Sequence, residues 1–167
     1  MTIDVKPLLR GEVNCIKLDY RLPVELENVK FEEARVVGEI IDRAGYMRLT
    51  LKLSVEYTAE CARCLDEVRG IFEEDFERTI VTKGSVSEEQ LDEDIDEYAV
   101  LNENGELNVD DEVVETIVLA FPKKLLCDED CPGLCPKCGK HKKDGDCGCV
   151  TKEIDPRLAI LQKLLDN

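Results

Sequence analysis

Aromatic residues and histidine are scarce in this sequence. Tryptophan is absent, aromatic residues make up 5% of the 167 residues, and His141 is the single histidine. Proteins that stack single-stranded nucleic acid on aromatic rings are therefore excluded. A zinc hydrolase is also disfavoured, because catalytic zinc keeps an open coordination position and usually uses histidine or carboxylate ligands. We interpret His141 as a solvent-facing turn residue.

Long apolar runs and a secretory leader are lacking as well. No stretch of about 18 consecutive residues is apolar, and the first residues, MTIDVKPLLRGEV, contain neither an apolar core nor a small-residue cleavage site. We expect a cytoplasmic protein with no membrane partner. Disulfides are rare in that compartment, so the nine cysteines are expected to bind metal or to act in redox chemistry.

Positive charge is in deficit. Lys and Arg number 22 against 38 Asp and Glu, giving a formal net charge of −16, which excludes a protein that wraps nucleic acid over its whole surface. No Lys or Arg occurs between residues 84 and 122, whereas Lys137, Lys140, Lys142 and Lys143 follow closely together. We predict that the acidic region attracts a basic protein and that the lysines contact RNA locally. The alternatives are a solvated acidic loop and ordinary lysines on a turn.

Alternating hydrophobicity predicts a half-buried sheet. Residues 48–60 have apolar or small side chains at every odd position. In residues 67–82, apolar side chains stand at four even positions, Val68, Phe72, Phe76 and Ile80. The short segment between them suits antiparallel neighbours. Two earlier strands are predicted near 16–22 and 36–41, the second followed by a turn at Ala44-Gly45. We expect an antiparallel sheet or an open barrel.

Helical spacing predicts one helix that packs on this sheet and one near the C-terminus. Apolar residues recur at helical spacing from Val109 to Phe121, and three acidic residues in the first turn suit the positive end of the helix dipole, so we predict a helix that ends at Pro122. Asp155-Pro156 gives an N-cap and a first-turn proline for a short final helix. The densest acidic run, residues 88–97, predicts a mobile loop.

The predicted fold class is α+β. Residues 1–126 form a sheet-and-helix domain with an acidic loop at about 84–97. Residues 127–167 form a cysteine-rich zinc-binding segment and the short helix, docked on the same core.

Eight of the nine cysteines fall into four pairs. These are Cys61/Cys64, Cys127/Cys131, Cys135/Cys138 and Cys147/Cys149. A two-residue spacer lets both thiolates turn back on one ion, and four thiolates form the usual closed structural site for Zn²⁺. We therefore predict two tetrahedral sites and two zinc ions. An iron–sulfur cluster uses the same ligands and stays open as an alternative.

The most local arrangement places one ion among the four C-terminal thiols, Cys135, Cys138, Cys147 and Cys149. Cys61 and Cys64 then share the second ion with Cys127 and Cys131. Cys61 extends the odd-numbered apolar face of its strand, so its sulfur starts on the core side. Alternatively, the first pair is simply buried, or the second pair joins the C-terminal cluster. Cys15 lies among polar neighbours and is interpreted as a free thiol.

Three motifs follow one another along the chain. They are Cys61-Ala62-Arg63-Cys64-Leu65, Cys131-Pro132-Gly133-Leu134-Cys135-Pro136-Lys137-Cys138-Gly139, and Asp155-Pro156-Arg157-Leu158-Ala159. With the helix ending at Pro122, this ordered set resembles the YceD family of large ribosomal RNA subunit accumulation proteins. Lys142-Lys143 replaces an asparagine pair of the family pattern and removes no ligand. The resemblance implies a role in large-subunit ribosome biogenesis and no enzymatic activity.

The sequence thus predicts a non-enzymatic factor for ribosomal RNA accumulation with structural zinc. Its expected partner is a large-subunit ribosomal protein or a pre-ribosomal particle. The alternative is a thiol redox protein or redox-regulated chaperone that uses its CxxC motifs. Such chemistry favours an accessible thiolate at a helix N-terminus in a βαβ context, whereas Cys61 follows a strand of antiparallel pattern.

Overall fold

Two compact units make up the part of the chain that the computed structural model describes, residues 1–43, 46–87 and 97–149. The first unit comprises Met1–Ala59 and Arg69–Lys123. The second comprises Glu60–Val68 and the described residues from Lys124 onward. The predicted turn at Ala44-Gly45, the C-terminal helix and all of the 88–97 loop except Glu97 lie outside the described residues. The predicted domain boundary after residue 126 stays a prediction.

Strands dominate the described residues. The elements in chain order are β1 (Thr2–Asp4), α1 (Lys6–Leu9), β2 (Cys15–Leu22), β3 (Val29–Phe31), β4 (Ala34–Arg43), β5 (Tyr46–Glu60), β6 (Glu67–Thr82), β7 (Tyr98–Leu101), β8 (Glu106–Asn108), α2 (Val109–Ala120) and a 3₁₀ turn (Lys142–Asp144). The α+β class is therefore confirmed. No described helix is long and apolar enough to span a membrane.

Within the described residues, the larger sheet has six strands. Five lie in the order β2-β4-β5-β6-β7, and β3 also pairs with β5. The pairs β2/β4, β4/β5 and β3/β5 are antiparallel, but β7 runs parallel to β6, with Ile80 opposite Ala99. The sheet is thus mixed, which is consistent with the predicted antiparallel sheet except at the short strand β7. A four-residue strand such as β7 is too short to show an alternation of apolar and polar side chains. A long connection after β6 allows the chain to come back and pair in the parallel direction. The open barrel stays a prediction.

An aliphatic core follows from the alternation. Leu49 and Leu53 of β5 lie opposite Ile40 and Val36 of β4, and all four are buried on one face. The helix α2 buries Val109, Val113 and Ile117, which recur at helical spacing. The two long predicted strands and the predicted helix are confirmed as β5, β6 and α2.

Both ends of α2 are fastened within the first unit. Phe121, at the C-cap, meets the rings of Phe31, Tyr57 and Phe72 edge-on, with centroid distances of 5.0, 5.1 and 5.3 Å. On β6, the guanidinium of Arg78 is 4% exposed and donates to acidic side chains nearer the helix start. These contacts fix α2 against β6.

Candidate metal centre

Four sulfurs from two distant chain segments meet in the second unit. The Sγ atoms of Cys61 and Cys131 are 3.8 Å apart, and those of Cys64 and Cys127 are 3.5 Å apart. All four lie within 4.8 Å of one another. Tetrahedral zinc with bonds of about 2.3 Å separates its sulfurs by about 3.8 Å, whereas a disulfide holds them at about 2.05 Å. This first quartet is therefore spaced to hold a metal ion.

A second quartet lies within the C-terminal segment alone. Cys135, Cys138, Cys147 and Cys149 place their sulfurs within 4.8 Å of one another. All nine cysteines are free thiols. The structure thus groups the paired cysteines in the same two sets of four that the spacing predicts. That they bind zinc stays a prediction.

The two CxxC turns share one backbone scheme. The N–H of Cys61 donates to the carbonyl of Asp66 at 2.8 Å, and the N–H of Leu65 donates back to the carbonyl of Cys61 at 3.0 Å. The turn at Cys135 repeats both bonds, at 2.8 and 2.9 Å. The residue after the second cysteine has a positive φ in each turn, 64° at Leu65 and 71° at Gly139. We call these segments, 61–66 and 135–140, the first and second knuckles.

Backbone amides prepare one thiol of each quartet for metal. Burial opposes ionisation of Cys61, but backbone N–H donors, led by that of Cys127, outweigh it and lower its pKa to about 6. The backbone N–H groups of Cys138 and Lys137 lower the pKa of Cys135 to about 6. Thiolates are the form that binds metal, so each quartet offers a first ligand at neutral pH.

Arg63 fastens the first knuckle to the segment that carries the other two ligands. Its guanidinium donates to the carbonyls of Glu129 at 3.1 Å and Cys131 at 2.9 Å. Its own carbonyl accepts a hydrogen bond from the N–H of Leu134 at 3.2 Å. A residue between two ligands thus holds both halves of the first quartet in place, which is the usual task of groups surrounding a metal site.

Arg63→Ala is expected to weaken metal binding at the first quartet by roughly 10- to 100-fold, the usual cost of losing a group that supports the ligands. Zinc competition with a calibrated chelator measures this, with the second quartet as internal reference. Arg10→Ala, which removes a side chain that is 67% exposed, is the matched control. Equal zinc affinity in Arg63→Ala and the control would show that Arg63 does not support the site.

A polar cluster beside the first knuckle was not predicted from the sequence. Lys143 pairs with the carboxylate of Asp66, and His141 Nδ1 lies 3.7 Å from that carboxylate. The ammonium of Lys143 lowers the pKa of Asp66. His141 is half-buried beside Asp66, whereas the sequence analysis predicted that it faces solvent. No local pattern signals this contact, because Asp66 lies far away in sequence. Cys64, Asp66 and His141 also place potential ligand atoms within 4.8 Å of one another.

The ninth cysteine lies apart from both quartets, in the first unit. Cys15 begins β2 and donates through its thiol to Glu39 at 3.3 Å. That hydrogen bond raises the pKa of the thiol, which keeps it protonated. Its interpretation as a free thiol agrees with this placement.

Comparison with known proteins assigns the family. Residues 49–165, which include all eight paired cysteines, match the family described as "Large ribosomal RNA subunit accumulation protein YceD". The chain belongs to the YceD family. Uncharacterized proteins of Mycobacterium bovis and Mycobacterium tuberculosis are each 33% identical over 156 residues, covering 84% of this YceD chain and 73% of the relative. One from Mycobacterium leprae is 27% identical over 135 residues, covering 81% and 56%. No solved structure matches.

The second unit of this YceD family member is not basic, despite its lysines. Residues 60–68 contain three acidic residues and one basic residue, and residues 124–149 contain five of each. Metal binding ionises four thiols at each quartet, and a divalent ion neutralises only half of their negative charge, so each filled site is itself anionic. The unit would therefore be anionic with both quartets filled.

Proposed function

We propose that this YceD family member is a non-enzymatic, cytoplasmic factor for the accumulation of large-subunit ribosomal RNA, with two structural zinc ions. The observation that carries the proposal is the family match over residues 49–165. The proposed zinc ligands are the members of the two quartets, Cys61, Cys64, Cys127 and Cys131, and Cys135, Cys138, Cys147 and Cys149.

A structural role for zinc is supported by the donor set. Four thiolates around zinc close its coordination sphere, whereas catalytic zinc keeps a position for water or substrate. The first quartet also joins two chain segments that are far apart in sequence. Zinc would therefore act here as a cross-link. An iron–sulfur cluster is the competing occupant, and its strong visible absorption would distinguish it.

The partner that the charge favours is a basic protein, either a large-subunit ribosomal protein or a component of a pre-ribosomal particle. The net charge of −16 supports electrostatic attraction of such a protein. We keep a local RNA contact by Lys137, Lys140, Lys142 and Lys143 as a further proposal. Because Lys143 already pairs with Asp66, we expect substitution of Lys140 and Lys142 to weaken that contact more than substitution of Lys143.

A thiol redox protein is the second candidate, and one observation favours it. The thiols of Cys61 and Cys135 have a pKa of about 6, and low-pKa thiols in CxxC motifs drive disulfide exchange. The same backbone donors also stabilise metal thiolates. Reduction of insulin disulfides by the metal-loaded protein separates the two, since closed zinc sites should give no turnover.

Deletion of the gene is expected to lower mature large-subunit ribosomal RNA relative to small-subunit RNA and to reduce free large subunits. Quantitative RNA analysis and sucrose-gradient profiles measure both effects. Re-expression of the wild-type chain should restore both amounts, and Cys61→Ser with Cys64→Ser should not. Normal profiles in the deletion strain would reject a role in ribosome biogenesis.

A further inference from the structure

Two side chains that meet the first knuckle are carried by a loop of the second quartet. His141 and Lys143 belong to residues 139–146, which lie between Cys138 and Cys147 and which we call the quartet loop. Both flanking cysteines place their sulfurs in the second quartet, within 4.8 Å of one another. A metal ion held by these sulfurs closes the loop and restricts its freedom. Metal in the second quartet therefore orders the quartet loop.

The backbone brings the quartet loop back to the first knuckle. The N–H of Lys142 donates to the carbonyl of Gly133 at 3.0 Å. Leu134 and His141 form an antiparallel bridge. Gly133 itself lies against the first knuckle, because a Cβ at this position would be 2.9 Å from the carbonyl oxygen of Arg63. This close approach and a φ of 73° both favour glycine there.

At the contact, both side chains of the loop face one carboxylate of the first knuckle. Lys143 pairs with Asp66, and His141 Nδ1 lies 3.7 Å from the same carboxylate. The hydrogen bond to Asp66 raises the pKa of Lys143, and the nearby thiolates of Cys64 and Cys127 add to this rise. The ammonium therefore attracts two ligands of the first quartet as well as the carboxylate beside them.

We propose that His141 and Lys143 are positioning residues of the first metal site, through which metal in either quartet raises the metal affinity of the other. Metal in the second quartet orders the loop that presents both side chains to Asp66. Metal in the first quartet fixes the knuckle that carries Asp66. Such coupling is reciprocal by thermodynamic necessity.

The coupling acts on affinity and leaves the number of ions unchanged, because either quartet alone retains four thiolates. Coupling between two sites usually changes affinity by about 5- to 150-fold. Lys143 and Asp66 are both partly exposed, so we expect a value near the lower end of this range. This inference rests on the proposed function, since it takes both quartets to be zinc sites.

Zinc competition with a calibrated chelator on the full-length chain measures the coupling. Cys135→Ser with Cys138→Ser leaves the first quartet alone, and Cys61→Ser with Cys64→Ser leaves the second. The product of the two stepwise zinc affinities of the wild type should exceed the product of these two single affinities by about fivefold or more. Equal products would overturn the proposal. A chain that binds no zinc would reject the proposed zinc sites as well, whereas two ions bound without coupling reject this inference alone.

Substitution within the quartet loop tests the two positioning residues. His141→Ala with Lys143→Met should reduce the coupling about threefold or more, and Lys143→Arg should retain it. The same double substitution should leave the affinity of each single-quartet chain unchanged, because the contact forms only when both sites are filled. Lys140→Met with Lys142→Met removes two exposed lysines of the same loop and is the matched control. Full coupling in the test variant, or an equal loss in the single-quartet chains, would contradict the positioning role.

Discussion

Removing the metal from the purified protein is expected to unfold the second unit while the sheet of the first unit persists. The apolar cluster of the second unit consists of Cys61, Cys64 and Cys131 with three half-buried aliphatic side chains, Val68, Leu126 and Leu134. So small a cluster does not hold a chain segment together by itself. Zinc binding to four thiolates contributes on the order of 10–16 kcal/mol in small zinc modules, and it is coupled to folding. With the proposed zinc bound, its loss would therefore remove the main stabilising interaction.

Amide hydrogen exchange, followed by mass spectrometry, measures this effect region by region. Protection should fall in residues 124–149 after complete chelation and stay in β4 and the first-unit part of β5. Cys135→Ser with Cys138→Ser should deprotect the second knuckle without metal removal. Cys15→Ser, a thiol outside both quartets, is the control and should change neither region. Unchanged protection of residues 124–149 in metal-free protein would contradict a structural role for the metal.

Replacing Arg78 by methionine is expected to destabilise the first unit by about 3–5 kcal/mol, the usual cost of leaving one partner of a buried ion pair alone. The guanidinium of Arg78 pairs with Glu112 and, at 3.0 Å, with Glu115, and it donates to Thr116 Oγ1 at 3.3 Å. Without it, the partly buried carboxylate of Glu112 has lost its cation. Chemical denaturation measures the loss.

The pH dependence of this variant follows from Glu112. Burial already raises the pKa of that carboxyl in the wild type, although Arg78 opposes the rise. Removing Arg78 should raise the pKa further. A group with a raised folded pKa contributes stability below its unfolded pKa and loses it as the pH rises through the folded value. The deficit of Arg78→Met should therefore be largest at neutral pH and smaller in mild acid.

A second substitution supplies the control. Adding Glu112→Gln to Arg78→Met removes the unpaired charge and should recover a substantial part of the lost stability. It should also flatten the pH dependence between neutral pH and mild acid. A single variant with wild-type stability, or a deficit that grows on acidification, would show that the Arg78 ion pair does not fasten α2.

Short-range sequence patterns predicted the strands that flank the first knuckle of the candidate metal centre. The alternation of residues 48–60 and 67–82 defines β5 and β6 because a half-buried strand repeats every two residues. The first knuckle lies between these strands, so its position follows from the same pattern. The short spacer within each cysteine pair predicted that its two thiols turn to one side. The closeness in sequence of the four C-terminal thiols then predicted which pairs share a quartet.

Features that depend on distant residues were not predictable in this way. The pairing of Asp66 with Lys143 joins the first knuckle to the 3₁₀ turn at Lys142–Asp144, which is far away in sequence, and neither residue belongs to a periodic pattern. The parallel strand β7 depends on where the chain returns after residue 87, which composition does not specify. The positive φ of Leu65 could not be predicted for a different reason. Leucine rarely adopts that backbone conformation, so the residue type does not indicate it.

Native mass spectrometry of the intact purified chain tests the central claim most directly. The account predicts the mass of two bound zinc ions, one zinc ion after Cys61→Ser with Cys64→Ser, and one after Cys135→Ser with Cys138→Ser. It also predicts that both double variants keep the first unit folded. A chain that carries no zinc, that carries iron and sulfide instead, or that loses both ions after either double substitution would contradict two independent structural zinc sites.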